Sequence, residues 1–306
     1  MGIVLKTYDL SKRYKQTKAV DKANMTVSEG DIYGFVGENG SGKTTIIRLI
    51  TGLIFADGGS FELFGVKNTD PEIVNVRRKI GAIVEAPSIY PNMTASENIK
   101  LQCELLGLSF DEQRISDALK TVGLDDKALG NKKAGDFSLG MRQRLGIAMA
   151  LVGSPKFIIL DEPMNGLDPA GIVEVRELIL KLNREDGITF LISSHILTEL
   201  ALVANKYGII SKGRVIKEIT AQELHEQFGK FTVIKTENKD ALIDLLKARF
   251  PKNSAVVDGE DVRISGNIDL NALFAEMLKA DIKIENVNCI ETTFEHYYLS
   301  VVGGKK

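Results

Sequence analysis

Eight residues between an apolar segment and a helical pattern have the composition of a phosphate-binding loop. Residues 32–36 predict a strand, residues 45–50 predict a helix, and the loop between them fits G-x-x-x-x-G-K-[ST] at every fixed position. Its glycines let backbone N–H groups surround a polyphosphate, and the start of the helix adds the positive end of its dipole. The predicted nucleotide-binding residues are Gly37, Glu38, Asn39, Gly40, Ser41, Gly42, Lys43, Thr44 and Thr45.

Two side chains of this loop are expected to act on the ligand directly. Lys43 would reach the β- and γ-phosphates, and the hydroxyl of Thr44 would hold a Mg²⁺ ion. A glycine-rich turn that binds no ligand is the alternative interpretation. The complete match, with a strand before it and a helix after it, favours the phosphate loop.

A second pair of reactive residues follows an unbroken apolar run at residues 157–160. Such a run is typical of a strand buried on both faces of a parallel sheet. Asp161 and Glu162 stand at its end, where α/β folds bind their ligands. We expect Asp161 to hold Mg²⁺, directly or through water, and Glu162 to accept a proton from an attacking water. A solvated acidic turn is the alternative, and the phosphate loop in the same chain disfavours it.

Residues 137–141, Phe-Ser-Leu-Gly-Met, resemble the LSGGQ-type signature of ABC ATPases. Over residues 1–220 the other motifs of that family follow in its order. The resemblance implies an ATP-binding subunit in which Tyr14 stacks on adenine, Asp168 belongs to the loop after the Mg²⁺ carboxylate and His195 contacts the γ-phosphate. It also implies that a second copy of the chain covers the γ-phosphate with its own signature, formed by Ser138, Leu139, Gly140 and Met141.

Each of these side chains also has a plainer interpretation. Tyr14 could be an exposed loop tyrosine, His195 a packed histidine, and Ser138 only the N-cap of a helix. A helix N-terminus is nevertheless suited to a phosphate. Two positions of the signature differ from the family pattern, but Ser138 and Gly140, which would face the phosphate, are kept.

Glu85 stands where most ABC transporter ATPases have glutamine. This glutamate and the sequence of residues 137–144 resemble those of the bacterial subfamily tied to bacitracin-type and lantibiotic export or self-immunity. The resemblance makes Glu85 a catalytic candidate beside Glu162 and His195. The candidate ligands of Mg²⁺ are Thr44, Asp161 and Glu85.

Composition restricts the partners and the compartment. The 306 residues carry a formal net charge of −2, which speaks against nucleic acid as the main partner. Two distant cysteines without a C-x-x-C motif indicate a reducing cytosol. The chain contains no run of about 18 apolar residues. If the protein serves a membrane, it must therefore dock on another polypeptide. The resemblance to ABC transporter ATPases implies a peripheral protein, held at the cytoplasmic face of the membrane by a separate integral-membrane permease.

The predicted fold class is α/β. Residues 1–220 would form a P-loop NTPase core of the ABC ATPase type, with an antiparallel β part on its N-terminal side and a helical insert at about residues 87–153. Residues 221–306 predict a small accessory α+β domain, because their elements follow a β-α-β-β-α-β order.

Four local patterns make sharper predictions. Thr94 and Ser109 each begin a capping-box pattern at the start of a helix. Residues 12–15 predict a polar turn. The last strand of the accessory domain is expected at residues 282–287, and its last helix at residues 292–302.

The expected function is ATP hydrolysis that powers export of an antimicrobial peptide, bacitracin- or lantibiotic-like, or of a similar amphiphile. One phosphate loop per chain makes a homodimer the simplest assembly. A soluble ABC ATPase that acts on the ribosome or on DNA is the alternative, but the chain has room for neither a long coiled coil nor a second ATPase half. A regulatory module that binds nucleotide without turnover conflicts with an intact Glu162.

Overall fold

The computed structural model describes residues 2–109, 111–124, 129–227, 230–266, 268–291 and 294–303. The chain divides into two units, Met1–Thr220 and Ala221–Lys306, and each has its own sheets and its own hydrophobic core. Among the residues described, no helix is both long enough and apolar enough to cross a bilayer.

The N-terminal strands of the first unit form an antiparallel sheet around β1. The strands are β1 (Ile3–Tyr14), β2 (Thr17–Ala23), β3 (Thr26–Ser28), β5 (Gly58–Leu63) and β6 (Val66–Lys67). β1 pairs with β2, β3 and β5. The polar turn predicted at residues 12–15 is wrong for its first three residues, because Lys12, Arg13 and Tyr14 all pair with β2. The sequence is polar here because this end of the hairpin is largely exposed.

A six-stranded sheet forms the centre of the first unit. Its strands are β4 (Ile32–Val36), β7 (Ile80–Ile83), β8 (Phe157–Asp161), β9 (Thr189–Ser194), β10 (Lys206–Ser211) and β11 (Arg214–Thr220). Their order is β11-β10-β4-β9-β8-β7, and neighbours run parallel except in the β10–β11 hairpin. Every residue of β4, β8 and β9 is buried, which explains their apolar sequences. The order places the carboxyl ends of these three strands side by side.

The helices of the first unit connect these strands. They are α1 (Lys43–Thr51), α2 (Ile73–Arg77), α3 (Ala95–Leu105), α4 (Glu112–Thr121), α5 (Leu139–Leu151), α6 (Pro169–Asp186) and α7 (Leu197–Ala201), with a 3₁₀ turn at Ala134–Asp136. α3, α4 and α5 lie in the region of the predicted helical insert. α1 is anchored because Ile46 and Ile50 share a core with Phe157 and Ile159 of β8. Sequence periodicity did not indicate α7, which is too short for a periodic signal.

The start of α3 confirms one predicted capping box, and the start of α4 corrects the other. Thr94 Oγ1 accepts a hydrogen bond from the N–H of Glu97 at 3.2 Å, and Glu97 accepts one from the N–H of Thr94 at 2.7 Å. α4 is capped instead by Asp111, whose carboxylate accepts from the backbone N–H two residues later at 3.0 Å. The box predicted from Ser109 is therefore wrong, and its Phe110 lies outside the described residues.

Thr94→Ala is expected to lower the free energy of unfolding of the first unit by about 1 kcal/mol, because it removes the N-cap of α3. The bond from the N–H of Thr94 lowers the pKa of Glu97, with Lys133 as a second cause. The carboxylate's contribution is thus present above its ordinary pKa and lost as the pH falls through the lowered folded value. Thermal unfolding of the wild type and of Thr94→Ala measures the difference in the free energy of unfolding. Thr121→Ala, in the last turn of α4, is the control, and an equal effect there would contradict the capping role.

The second unit contains a four-stranded antiparallel sheet in the order β13-β14-β12-β15. Its strands are β12 (Lys230–Lys235), β13 (Ala255–Asp258), β14 (Asp261–Ser265) and β15 (Asn286–Glu291). Its helices are α8 (Ala221–Gln227), α9 (Lys239–Arg249), α10 (Leu270–Lys279) and α11 (Phe294–Val302). The core joins Ile234 and Ile264 of the sheet to Leu242 of α9 and Leu273 of α10.

The last strand of this unit lies later than predicted, at 286–291 rather than 282–287. Asp281 has a φ of 53°, and the N–H of Ile282 bonds the carbonyl oxygen of Met277. The buried side chain of Ile282 therefore closes the end of α10 instead of starting a strand. The predicted closing helix corresponds to α11, although residues 292–293, where its prediction begins, lie outside the described residues.

Candidate nucleotide-binding and catalytic site

Close backbone contacts at its glycines shape the loop between β4 and α1. A Cβ atom on Gly37 would lie 2.5 Å from the carbonyl oxygen of Ile210, and one on Gly42 would lie 2.5 Å from that of Ala19. Gly42 has a φ of 112° and Gly40 a φ of 79°, both in the left-handed region that favours glycine. Larger residues would push the loop away from β10 and β2, so the turn into α1 depends on these glycines.

Lys43 is the first residue of α1, and its side chain is buried. Its Nζ donates to the carbonyl oxygens of Gly37 at 2.6 Å and Glu38 at 3.3 Å, and it lies 3.3 Å from Oε1 of Glu162. Nearby, Ser41 is also buried, and within the described structure its Oγ has no hydrogen-bond partner. A buried ammonium group and an unpartnered buried hydroxyl at a helix N-terminus fit a polyphosphate.

Asp161 and Glu162 are consecutive, but their carboxylates have different surroundings. Asp161 is 2% exposed, and its Oδ1 accepts a hydrogen bond from Ser193 Oγ of β9 at 2.5 Å. Glu162 has a φ of 51°, and its N–H donates to the carbonyl oxygen of Ser193 at 3.1 Å. This left-handed turn ends β8 and separates the two side chains. Asp161 stays in the interior, whereas Glu162 reaches the phosphate loop.

His195 follows β9 and bonds to the same glutamate. Its Nδ1 lies 2.7 Å from Oε2 of Glu162, and its backbone N–H donates to that oxygen at 3.3 Å. The ionised carboxylate can only accept, so Nδ1 carries the proton of this bond and Nε2 is left for another partner. Glu162 therefore contacts Lys43 through one oxygen and His195 through the other.

These side chains border a single cavity of about 230 Å³. Its wall consists of Ala19, Asn39, Gly40, Gly42, Lys43, Thr44, Thr45, Glu162, Asn165 and His195. The structure thus brings most of the predicted loop together with Glu162 and His195. Asn165 belongs to the loop that the motif of Asp168 indicated, but it was not among the predicted site residues; its N–H donates to the carbonyl oxygen of Glu162 at 3.1 Å. Sequence reasoning also missed Ala19, which β2 contributes without any local signal.

Several predicted site residues do not line this cavity in the described part of the chain. Tyr14 ends β1, is 43% exposed and has the Nζ of Lys12 at 5.8 Å from its ring centroid. Glu85 has a φ of 64°, and its carboxylate pairs with Arg48 at 2.5 Å. Asp168 is the N-cap of α6 and accepts a backbone N–H bond at 2.9 Å. Each of these side chains is therefore engaged elsewhere in the structure.

The signature residues lie at the start of α5. Ser138 is exposed and caps the helix, with its Oγ accepting from the N–H of Met141 at 3.2 Å. Leu139 is exposed and Gly140 is half-buried. A Cβ atom on Gly166 would lie 3.3 Å from Cδ2 of Leu139, so the signature packs against the loop that follows β8. None of the four signature residues, all of which are described, lines the chain's own cavity.

The donors near the loop fit a magnesium ion. Thr44 is at the cavity wall and has a hydroxyl group, and Asp161, at the end of β8, has a buried carboxylate. Hard oxygen donors are the ligands that Mg²⁺ prefers, and it commonly keeps water and substrate phosphate in its remaining positions. Among the described residues, no cluster of three or more His, Cys, Asp and Glu side chains is placed to hold a metal by itself.

A larger cavity of about 820 Å³ lies at the opposite end of the same strands. Its wall includes Lys156, just before β8, and Thr189, the first residue of β9. It includes neither Glu162 nor His195 and no residue of the phosphate loop. Because open α/β sheets bind ligands at the carboxyl ends of their strands, we assign the nucleotide to the smaller cavity.

Comparison with known proteins agrees with this geometry. The family described as ABC transporter matches residues 20–165. The chain is 39% identical over 309 residues to the bacitracin transport ATP-binding protein BcrA of Bacillus licheniformis, with 99% of each chain covered. It is 42% identical over 215 residues to the lantibiotic transport ATP-binding protein SrtF of Streptococcus pyogenes, covering 70% of this chain and 90% of that relative.

Solved structures show the same fold. The dimeric post-hydrolysis structure of the ATP-binding cassette MJ0796 bound to ADP and Pi aligns with a TM-score of 0.64 at 27% identity, covering 71% of this chain and 98% of that one. The cbiO1 protein from Clostridium perfringens aligns with a TM-score of 0.65 at 25% identity, covering 82% of this chain and 97% of that one. The predicted fold class and the resemblance drawn from the motifs are confirmed. The chain is an ATPase and belongs to the ATP-binding subunits of ABC transporters.

Proposed function

We propose that two copies of this chain form a homodimer that hydrolyses ATP at two shared sites. The observation that carries the proposal is that the signature residues lie apart from the nucleotide cavity of the same chain. The cavity contains the phosphate loop, Glu162 and His195 but none of the signature residues. Its volume of about 230 Å³ is below the roughly 300–1,000 Å³ of complete small-molecule pockets. A second copy would complete each site by placing Ser138 and Gly140 over the γ-phosphate.

Within each half, the side chains have distinct roles. Lys43 would bind the β- and γ-phosphates, and Thr44 and Asp161 would hold Mg²⁺, which would polarise the phosphate oxygens. Glu162 accepts the proton of the attacking water. His195 keeps the carboxylate oriented through Nδ1 and is free to donate from Nε2 towards the γ-phosphate. The buried position of Asp161 and its bond to β9 restrict its movement.

The ion pair of Lys43 with Glu162 implies an exchange of partners during binding. The two atoms lie 3.3 Å apart, and Lys43 is buried. A triphosphate carries more negative charge than one carboxylate, so it would draw the ammonium group towards itself. Glu162 would then retain His195 and gain a free oxygen for the attacking water. Binding of the substrate therefore prepares the base.

Three other residues keep the roles that their motifs suggest. Tyr14 would stack on adenine, Asp168 would contact the second copy from the loop after β8, and Glu85 would approach the Mg²⁺ side of the site. Support for Glu85 is its place at the end of β7, the neighbour of β8 at the edge of the sheet. Support for Tyr14 is its exposed ring at the end of β1. The neighbouring strand β2 contributes Ala19 to the wall of the cavity.

The names of the relatives support the proposed cargo and setting. Two relatives that match 99% of the chain are named as bacitracin transport ATP-binding proteins, and one that matches 70% of it is named as a lantibiotic transport ATP-binding protein. We assign this chain to the export of an antimicrobial peptide of that kind or of a similar amphiphile. A separate permease would hold it at the cytoplasmic face of the membrane. Residues 221–306 would form an accessory domain, distinct from the ATPase domain at residues 1–220.

Co-expression tests this assignment. Together with the membrane proteins encoded in neighbouring reading frames, the chain is expected to sediment with membranes and to raise the bacitracin or lantibiotic concentration that inhibits a sensitive host. Without those proteins, both effects should disappear, because the chain itself has no described helix that spans a bilayer. Sedimentation with ribosomes or with DNA, whether or not a permease is present, would instead support the soluble ATPase.

A further inference from the structure

A short ion pair connects α1, the helix that follows the phosphate loop, to Glu85, two residues after the end of β7. The guanidinium NH2 of Arg48 lies 2.5 Å from Oε1 of Glu85. Arg48 is in α1, about 1.4 turns after Lys43, at a rise of about 7.5 Å along the helix axis. The pair therefore joins the last turn of α1, the helix that begins at the phosphate loop, to the segment that leads into the helical insert.

The backbone restricts where Glu85 can point. It has a φ of 64°, and the N–H of Ala86 donates to the carbonyl oxygen of Val84 at 2.8 Å. This makes Glu85 the central residue of a three-residue turn, in a region that non-glycine residues seldom occupy. Such turns persist only where their surroundings hold them. Arg48 is the side-chain partner that the structure gives to Glu85.

The same segment also touches the helix that carries the signature. A Cβ atom on Gly146 of α5 would lie 2.6 Å from the Cβ of Pro87, so the ring of Pro87 packs directly on that helix. Pro87 stands two residues after Glu85, and Ser138 caps the N-terminus of α5. The turn at Glu85 therefore lies between α1, which starts at the phosphate loop, and α5, which starts at the signature.

We propose that Arg48 is a positioning residue that holds the carboxylate of Glu85 away from bound nucleotide. The inference rests on the proposed role of Glu85 near Mg²⁺. A carboxylate is repelled by a triphosphate but attracted by a divalent cation, so its position decides whether it opposes or assists binding. The pair is exposed, with side chains 36% and 62% accessible, and exposed ion pairs are weak enough to exchange partners. Arg48 thus withdraws the negative charge until a cation competes for it.

Nucleotide binding by four forms of the full chain tests this: wild type, Arg48→Gln, Glu85→Gln and the double variant. The probe is mant-ATP, titrated once with Mg²⁺ and once with EDTA. Arg48→Gln frees the carboxylate, so we expect binding about threefold tighter with Mg²⁺ and about threefold weaker with EDTA, within the range of an exposed ion pair. When Glu85 is already glutamine, adding Arg48→Gln should change the affinity neither with Mg²⁺ nor with EDTA, because Arg48 acts through the carboxylate of Glu85.

Matched variants separate this effect from loss of a positive charge or of folding. Arg48→Lys keeps the charge and should bind as wild type does. Arg184→Gln removes an arginine from another exposed pair, with Glu185 at 3.3 Å, and should leave both titrations unchanged. Arg48→Met repeats the loss of charge with a different side chain, and circular dichroism checks that each form folds.

Three results would overturn the proposal. One is that Arg48→Gln changes the affinity for mant-ATP equally with and without the Glu85→Gln change. The others are that it changes that affinity in the same direction with Mg²⁺ and with EDTA, or does not change it at all. These outcomes concern Arg48 alone. Failure of the wild-type chain to support export with its permease would count against the proposed function instead, whatever the titrations show.

Discussion

Glu162→Gln is expected to bind ATP and yet to lose at least about 10²-fold in turnover, the usual weight of a general base. Glutamine keeps the shape of the side chain, but its amide cannot take the proton of the attacking water. The loss corresponds to at least about 2.7 kcal/mol of activation free energy. Because hydrolysis would release the dimer, the variant should also accumulate as an ATP-bound dimer, which gel filtration detects. Steady-state ATPase rates, with mant-ATP binding on the same preparation, separate a lost base from lost affinity.

A control for this variant is Glu177→Gln on α6. The Glu177 side chain is 66% exposed, and its carboxylate lies 3.8 Å from Arg176, outside the nucleotide cavity. The Glu177→Gln variant should hydrolyse ATP at the wild-type rate. Turnover near wild type in Glu162→Gln would remove Glu162 from the role of base. A loss of binding as large as the loss of turnover would show that Glu162 serves mainly to place Lys43.

The second large effect concerns the shared site. Ser138→Arg should stop hydrolysis without damaging the phosphate loop of its own chain, because the arginine would occupy the γ-phosphate position of the partner's site. Lys43→Ala should stop hydrolysis by removing the phosphate-binding ammonium group. Each homodimer is expected to lose at least about 10²-fold in turnover, the weight of one group that stabilises the transition state.

Mixed dimers then distinguish a shared site from a self-contained one. A Ser138→Arg chain paired with a Lys43→Ala chain rebuilds one complete site if the sites are shared, and should recover up to about half of the wild-type rate. The matched control pairs wild type with a chain that carries both changes. Shared sites leave that dimer with no complete site, whereas self-contained sites leave it with one. Activity in the control dimer, with none in the first, would refute the shared site.

Local signals sufficed where the partners in a structure are close in sequence. The phosphate loop is formed by consecutive residues, and two of its glycines, Gly40 and Gly42, adopt left-handed backbone conformations within it. The capping box from Thr94 to Glu97 was readable because its two hydrogen bonds join residues three apart. The apolar run before Asp161 indicated a buried parallel strand, because only a strand covered on both faces lacks polar alternation.

Patterns failed where a residue's type had two possible causes. Ile282 and its neighbours predict a strand, but Ile282 packs in the core at the end of α10. Lys12 and Arg13 predict a turn, but they lie in β1 and pair with β2, with Lys12 half-buried and Arg13 exposed. Ser109 begins a sequence that fits a capping box, but the N-cap of α4 is Asp111, two residues later. Pairing with β2 decides the outcome for Lys12 and Arg13, core packing decides it for Ile282, and a competing cap nearby decides it for Ser109.

The sequence by itself determined which groups this protein has for chemistry: a phosphate loop, two consecutive carboxylates, a histidine and a signature. Only the tertiary structure decided which of them meet. Glu162 contacts both Lys43 and His195 because β4, β9 and β8 are neighbours in the sheet, although the three residues are far apart in the chain. Glu85 contacts Arg48 rather than the cavity, and the signature lies outside it. Residue spacing sets the geometry of a turn, whereas the order of strands depends on packing between distant segments, which leaves no local pattern.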